Sequence, residues 1–169
     1  MRKPTSFFVL TMSIYLFLSL IFASCGRNTL DSPTGTHPSL ARKAVNQVYA
    51  LAWSPNGTKL ATGGKNGVIQ VWNTTIHTLL ATAETHAGEM YALAWSPDGK
   101  YLATGSWDGT VQVWEALTGK LLRTYHGHTA EVWNVSWSPK GKLIASVGEG
   151  GVVQIWNAIT GTPVWLLRL

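Results

Sequence analysis

Short runs in which apolar and polar side chains alternate, each five to seven residues long, follow one another from about residue 48 to residue 168. The alternation has the two-residue period of a strand with one covered face, not the 3.6-residue period of an amphipathic helix. In the stretch 86–127 the predicted strands fall at 90–95, 100–104, 110–114 and 120–125. Ser96-Pro97-Asp98-Gly99, Ser106-Trp107-Asp108-Gly109 and Leu117-Thr118-Gly119 separate them. Pro-Asp-Gly and Asp-Gly sequences reverse the chain tightly, because proline presets one turn dihedral and glycine accepts a positive φ. Consecutive runs therefore pair antiparallel, and the stretch reads as a four-stranded meander.

The same plan occurs three times. Trp53, Trp95 and Trp137 each open a Trp-Ser-Pro-x-Gly segment and stand 42 residues apart, and Trp72, Trp114 and Trp156 keep the same step. Strands are predicted at 48–53, 58–62, 68–72 and 78–83 in the first copy, and at 132–137, 142–146, 152–156 and 162–168 in the third. A period of roughly 40 to 45 residues with four short strands per period is the signature of propeller blades. The predicted fold class is all-β: a partial β-propeller of three four-stranded antiparallel blades, at 44–85, 86–127 and 128–169.

Across 44–169 the pattern resembles the WD-repeat β-propellers. The matching elements are Gly127-His128 before a first strand, Leu-Ala-Thr-Gly at 102–105, the Asp108-Gly109 turn and Val-Gln-Val-Trp at 111–114. The resemblance implies a buried polar network in each blade, linking a histidine, a hydroxyl on the second strand, a turn aspartate and the third-strand tryptophan. The second copy holds all four, as His86, Thr104, Asp108 and Trp114. The third holds His128, Ser146 and Trp156, with Gly150 in the aspartate column. The first holds Thr62 and Trp72, with Ala44 and Asn66 in the other two columns. A buried histidine without its carboxylate forfeits a charge-assisted partner, about 1 to 3 kcal/mol, so the middle blade is expected to be the best determined. The Trp-Asp pair that names the family is absent: Asn73, Glu115 and Asn157 stand at that strand exit, which reads as tolerated drift.

The resemblance further implies that partners dock on the narrow face reached by two variable columns. One is Lys65, Trp107 and Glu149, just before the turn aspartate position; the other is Tyr49, Tyr91 and Trp133, at a bulge-like place after the first residue of the opening strand. Exposed aromatic residues are typical interface anchors. The three bulge aromatics could equally pack on the neighbouring blade, whereas Trp107 sits in a glycine-flanked turn and is the foremost contact candidate.

His86, Asp108 and Thr104 have the residue types of a hydrolase triad. They occupy columns set by blade geometry, however, so no catalytic role is assigned. His126 and His128 form a His-x-His pair without a third ligand at matching spacing, so no metal is assigned either. No phosphate-cradling loop or nucleophile elbow occurs, and no cofactor is implied.

The amino-terminal end has a different character. Arg2 and Lys3 precede an apolar run from Phe7 to Phe22, followed by Ala23, Ser24 and Cys25. A basic start, apolar middle and small-residue exit describe a secretory signal peptide over 1–24, expected to be an apolar helical segment. Leu20-Ile21-Phe22-Ala23-Ser24-Cys25 resembles a bacterial lipobox, which implies lipidation of Cys25. An uncleaved anchor is the alternative, since roughly 17 apolar residues is the lower limit for spanning a bilayer. Both readings put the repeats outside the cytoplasm at a cell membrane. Cys25 is the only cysteine, so no intramolecular disulfide forms. Residues 25–43, rich in Gly, Ser, Thr, Pro and Asn, read as a flexible tether with a reach of about 23 Å. The formal charge of +5 is spread thinly along the chain, without the basic cluster that nucleic acid requires.

Closed propellers have roughly four to eight blades, so three leave two apolar faces uncovered. The reading is a membrane-tethered, non-catalytic scaffold binding a protein or peptide, with a homo-oligomer, simplest as a six-blade dimer, completing the ring. The alternatives are a fragment of a longer WD-repeat protein, or a ligand-binding or enzymatic propeller completed by further blades; three blades alone surround no axial pocket.

Overall fold

The structure is a computed structural model that describes residues 47–168. The predicted signal segment over 1–24, the tether over 25–43 and Cys25 lie outside the described residues. Among the described residues no helix is long and apolar enough to cross a membrane.

Among the described residues twelve strands form three sheets, each a four-stranded antiparallel meander in chain order. The first holds β1 (Val48–Trp53), β2 (Lys59–Gly64), β3 (Val68–Asn73) and β4 (Thr78–Glu84). The second holds β5 (Met90–Trp95), β6 (Tyr101–Ser106), β7 (Val111–Glu115) and β8 (Leu121–Tyr125). The third holds β9 (Val132–Trp137), β10 (Leu143–Gly148), β11 (Val152–Asn157) and β12 (Pro163–Arg168). The second strand of each sheet runs two residues past its predicted end. Gly64, Ser106 and Gly148 stay paired because they face Val48, Met90 and Val132 across a break in register.

Hydroxyl and amide side chains close the turns. Ser96 donates from its Oγ to Asp98 at 2.6 Å and accepts the Tyr101 N–H at 2.9 Å, and Gly99 completes the reversal at φ 69°. Asn73 and Asn157 have a definite task of their own. Each Oδ1 accepts two backbone N–H groups of the following turn, at 2.8 and 3.1 Å for Asn73 and at 2.9 Å twice for Asn157. Asparagine at the strand exit is thus a turn cap rather than drift.

Each sheet packs its forward face on the back of the next. Ala61, Ile69 and Val71 meet Met90, Leu93, Trp95 and Leu102 in one core; Ala103, Val111, Val113 and Tyr125 meet Val132, Val135, Ile144 and Trp156 in the other. Indole N–H groups tie these junctions: Trp95 donates to the Ala52 carbonyl at 2.9 Å and Trp137 to the Ala94 carbonyl at 3.2 Å. Gly63 and Gly105 make room for the incoming strand. A Cβ on Gly63 would lie 1.9 Å from the Met90 Cε, and one on Gly105 would lie 2.7 Å from a Val132 methyl.

Candidate functional site

In a meander, alternate connections fall at opposite ends of the sheet. The β2–β3, β6–β7 and β10–β11 turns therefore share one end with the segments leading into β5 and β9. At each blade one backbone hydrogen bond locks the turn to the entry of the first strand. The N–H of Lys65 donates to Gln47, that of Trp107 to Glu89 and that of Glu149 to Glu131, all at 2.9 Å. The column Lys65, Trp107, Glu149 is thus presented on a fixed frame with variable side chains, all three exposed.

Tyr49, Tyr91 and Trp133 each occupy the extra residue of a β-bulge, where the first strand slips against the second. A bulge turns its side chain out of the alternating pattern, here onto the same end as the turns. Trp107 is 58% exposed, Trp133 48% and Tyr49 44%, while Tyr91 is half-buried. Tyr49 and Tyr91 lie with ring centroids 6.0 Å apart, tilted by 31°.

A third column, not recognised in the sequence, orients these rings. The Tyr49 hydroxyl donates to Gln47 at 3.1 Å, the Tyr91 hydroxyl to Glu89 at 3.1 Å and the Trp133 indole to Glu131 at 3.2 Å. The signal was available as a polar acceptor two residues before every bulge aromatic. Desolvation, and then the Glu89 carboxylate, push the Tyr91 hydroxyl above its ordinary pKa, which keeps it a donor.

Beneath this rim lies the polar network of the second blade. His86 Nδ1 is 2.9 Å from Asp108 Oδ2, His86 Nε2 is 2.8 Å from Thr104 Oγ1, and the Trp114 indole donates to Thr104 Oγ1 at 3.2 Å. With an ionised carboxylate as acceptor, the assignment follows: Nδ1–H donates to Asp108, Nε2 accepts the Thr104 hydroxyl, and Thr104 accepts from Trp114. Partial burial pushes the Asp108 carboxyl up, but hydrogen bonds from His86 and Thr110 outweigh it and hold it well below the usual carboxylate range. Thr104 and the His86 side chain are fully buried, while the Asp108 carboxylate is partly exposed, so the set ties the turn and the entry segment to the buried second strand.

The other two networks are partial. In the first blade the Trp72 indole donates to Thr62 at 3.3 Å. In the third, His128 Nε2 meets Ser146 Oγ at 2.8 Å, but the implied Trp156 bond is not made. Trp156 instead stacks on Tyr125, with centroids 4.7 Å apart and planes within 6°, and its indole N–H has no hydrogen-bond partner. The stack sets the plane of the indole, where Ala83 leaves Trp114 unstacked in the preceding junction. The Tyr125 hydroxyl donates to Gln154 at 2.5 Å. The third turn also differs in path. Glu149–Gly151 is a short 3-10 turn with Gly150 at φ 75°, a conformation that disfavours the aspartate of its column. Among the described residues no group of three His, Cys, Asp or Glu side chains is placed to hold a metal, His126 and His128 included.

The family model described as WD domain, G-beta repeat matches residues 40–73, 77–115 and 119–157. The chain belongs to the WD40 repeat family. The second match begins at β4 and ends with β7, so one WD40 repeat supplies the outer strand of one sheet and three strands of the next, which couples neighbouring blades covalently. Two solved structures similar to this WD40 chain are the WD40 repeats of RRP9 and U3-55K. RRP9 aligns at 23% identity and a TM-score of 0.71, over 76% of this chain and 40% of that one. U3-55K aligns at 24% and 0.70, over 76% of this chain and 41% of that one. The chain thus spans about two fifths of each, and likeness at this identity shows the fold alone. No curated protein matches the sequence.

Proposed function

We propose that this chain is a non-catalytic WD40 scaffold that binds a protein or peptide partner across the rim formed by Trp107, Trp133, Tyr91, Tyr49, Lys65 and Glu149. The observation that carries the reading is the contrast within the rim. Three identical backbone hydrogen bonds fix the frame, while the side chains on that frame change from blade to blade and stay exposed. Such a surface separates folding from recognition. Exposed indole rings beside Glu89, Glu131 and Glu149 suit a partner segment with arginine or lysine side chains, through cation–π contact and charge pairing. The same carboxylates oppose a phosphate backbone, which argues against nucleic acid. The set of buried His86 and Thr104 with the partly exposed Asp108 serves the blade, so the reading assigns no catalysis.

The proposal includes attachment to the outer side of a cell membrane through a lipid on Cys25, on the strength of the lipobox-like sequence before it. It includes a second copy of the chain as the partner of the exposed blade faces. Recovery of a partner by the immobilised full chain tests the rim: Trp107→Ala, fully folded by circular dichroism, is expected to lower recovery about tenfold or more, as loss of an interface anchor does. Undiminished recovery by Trp107→Ala and by Trp133→Ala would refute the assignment.

A further inference from the structure

The end of the blades opposite the rim holds a feature that the repeat alone does not foretell. Between the first and second blades this end has two separate depressions. One is a crevice of about 10 Å³ closed by Ala81, Ala83, Leu102 and Gly119; the other is a shallow polar dip of about 410 Å³ over Ser54, Asn56, Lys59 and Asp98. Between the second and third blades the corresponding positions merge into one groove of about 740 Å³. That volume lies in the range of ligand sites, roughly 300 to 1,000 Å³. It is a lateral cleft between neighbouring blades, not an axial channel.

Two substitutions along β8 accompany the difference. Ala83 of the first blade corresponds to Tyr125, whose ring stacks on Trp156 at 4.7 Å. Ala81 corresponds to Arg123. In the first junction a Cβ on Gly119 would meet the Ala83 methyl at 3.0 Å, so the walls nearly touch; in the second, a Cβ on Gly161 would meet the Arg123 side-chain stem at 2.7 Å. Where two alanines line a closed crevice in the first junction, the second has an open groove with an arginine along its wall.

The lining has a definite chemistry. Tyr101, Val113, Leu122, Trp137 and Ile159 form an apolar floor, and Arg123, Lys140 and Lys142 bring positive charge to its edge. Asp98 is the opposing carboxylate, and it is engaged in its own turn, accepting from Ser96 and from the Lys100 N–H at 3.1 Å. Lys140 stands in the column of Asn56 and Asp98, both of which accept a serine hydroxyl there. A lysine has no acceptor and cannot take that role, so its ammonium is left for another anion.

We infer that this groove is a second binding site, which takes an extended acidic peptide segment of a partner. A bulky apolar side chain of that segment lies on Trp137 and Tyr101, and flanking carboxylates face Arg123, Lys140 and Lys142. Charge complementarity selects the class: three cations against one committed carboxylate call for an anion, and the apolar floor calls for aliphatic or aromatic side chains rather than a sugar-phosphate chain. The site is independent of the rim proposed above and stands or falls separately.

Fluorescence anisotropy of the full chain with a labelled peptide alternating Asp with Phe and Leu tests it. The analogue with Lys for every Asp, the analogue with Ser for every Phe and Leu, and an oligothymidylate serve as competitors. The expected result is binding of the acidic apolar peptide alone, weakened about tenfold or more by Arg123→Glu together with Lys140→Glu, as when charge-assisted contacts become repulsive. Lys140→Glu alone, on an exposed turn, reports the same direction should the double variant fold poorly, and Trp107→Ala leaves the affinity unchanged. Equal binding of the lysine peptide, displacement by oligothymidylate, indifference to both Glu variants, or loss of binding in Trp107→Ala would each overturn the assignment.

Discussion

His86 and His128 occupy one column and live in different electrostatic surroundings. His86 faces the Asp108 carboxylate, whereas burial pushes His128 below the ordinary histidine pKa with only Ser146 beside it. A depressed native pKa means that the unfolded chain takes up the proton first, at about pH 6.5. The contribution of His128 is therefore complete above about pH 6.5 and declines as pH falls through its native value. Thermal melts from about pH 7.5 to about pH 5.5 are expected to show a fall in midpoint that is smaller by a few degrees in His128→Gln. Asp108 acts in a separate range: its carboxylate is held below the usual value, so its contribution persists until strongly acid pH. The WD-repeat resemblance, carried onto the matching positions of the second copy, pointed to His86, Thr104, Asp108 and Trp114. Side-chain direction was not. Trp156 has the expected place yet no expected bond, because Tyr125, on an adjacent sheet, decides how its ring lies.

Strands and turns were readable because alternation and Pro-x-Gly spacing are local, and the aromatic bulges followed from the same registers. The junctions between sheets depend on residues far apart in the chain meeting at close range, as Gly105 meets Val132 and Trp95 meets Ala52, which no local period encodes. Gly105 illustrates the gap: in sequence it belongs to a Leu-Ala-Thr-Gly strand, while in the structure it is the space that Val132 enters. Gly105→Ala would press a methyl on a stiff β-branched residue, and a loss of about 1 to 3 kcal/mol is expected in chemical denaturation. Gly88→Ala is the matched control, since its Cβ would meet only the Trp107 ring at an ordinary 3.7 Å, and a change within about 0.5 kcal/mol is expected. The groove was not legible for the same reason, since its lining comes from residues of two sheets that meet across a junction.

Each internal junction in the molecule repeats one arrangement, and the two outer faces carry its unused halves. Trp53, the counterpart of Trp95 and Trp137, is 57% exposed, and Trp165 on the last strand is 56% exposed. A second copy laid head to tail would bring Trp53 to the Ser136 carbonyl, as Trp95 meets Ala52 and Trp137 meets Ala94. In such a pair Val147 would stand where Gly63 and Gly105 admit the neighbouring strand, and would crowd the junction. The native mass of the mature chain in detergent is expected to equal two lipidated copies at micromolar concentration, with Val147→Gly shifting the balance further toward the dimer. A lipid-free monomer in both forms would contradict the tether and the pairing together. The central claim, that a rigid frame displays its recognition side chains at one rim, is tested most directly by a photo-crosslinking amino acid placed at position 107, 133 or 76 of the full chain in its native cells. Position 76, where Ile76 is 63% exposed in a turn at the opposite end, is the control. One product of the same mass from 107 and 133, absent from 76, is the predicted result. No product from 107 and 133, or an equal one from 76, would contradict the account.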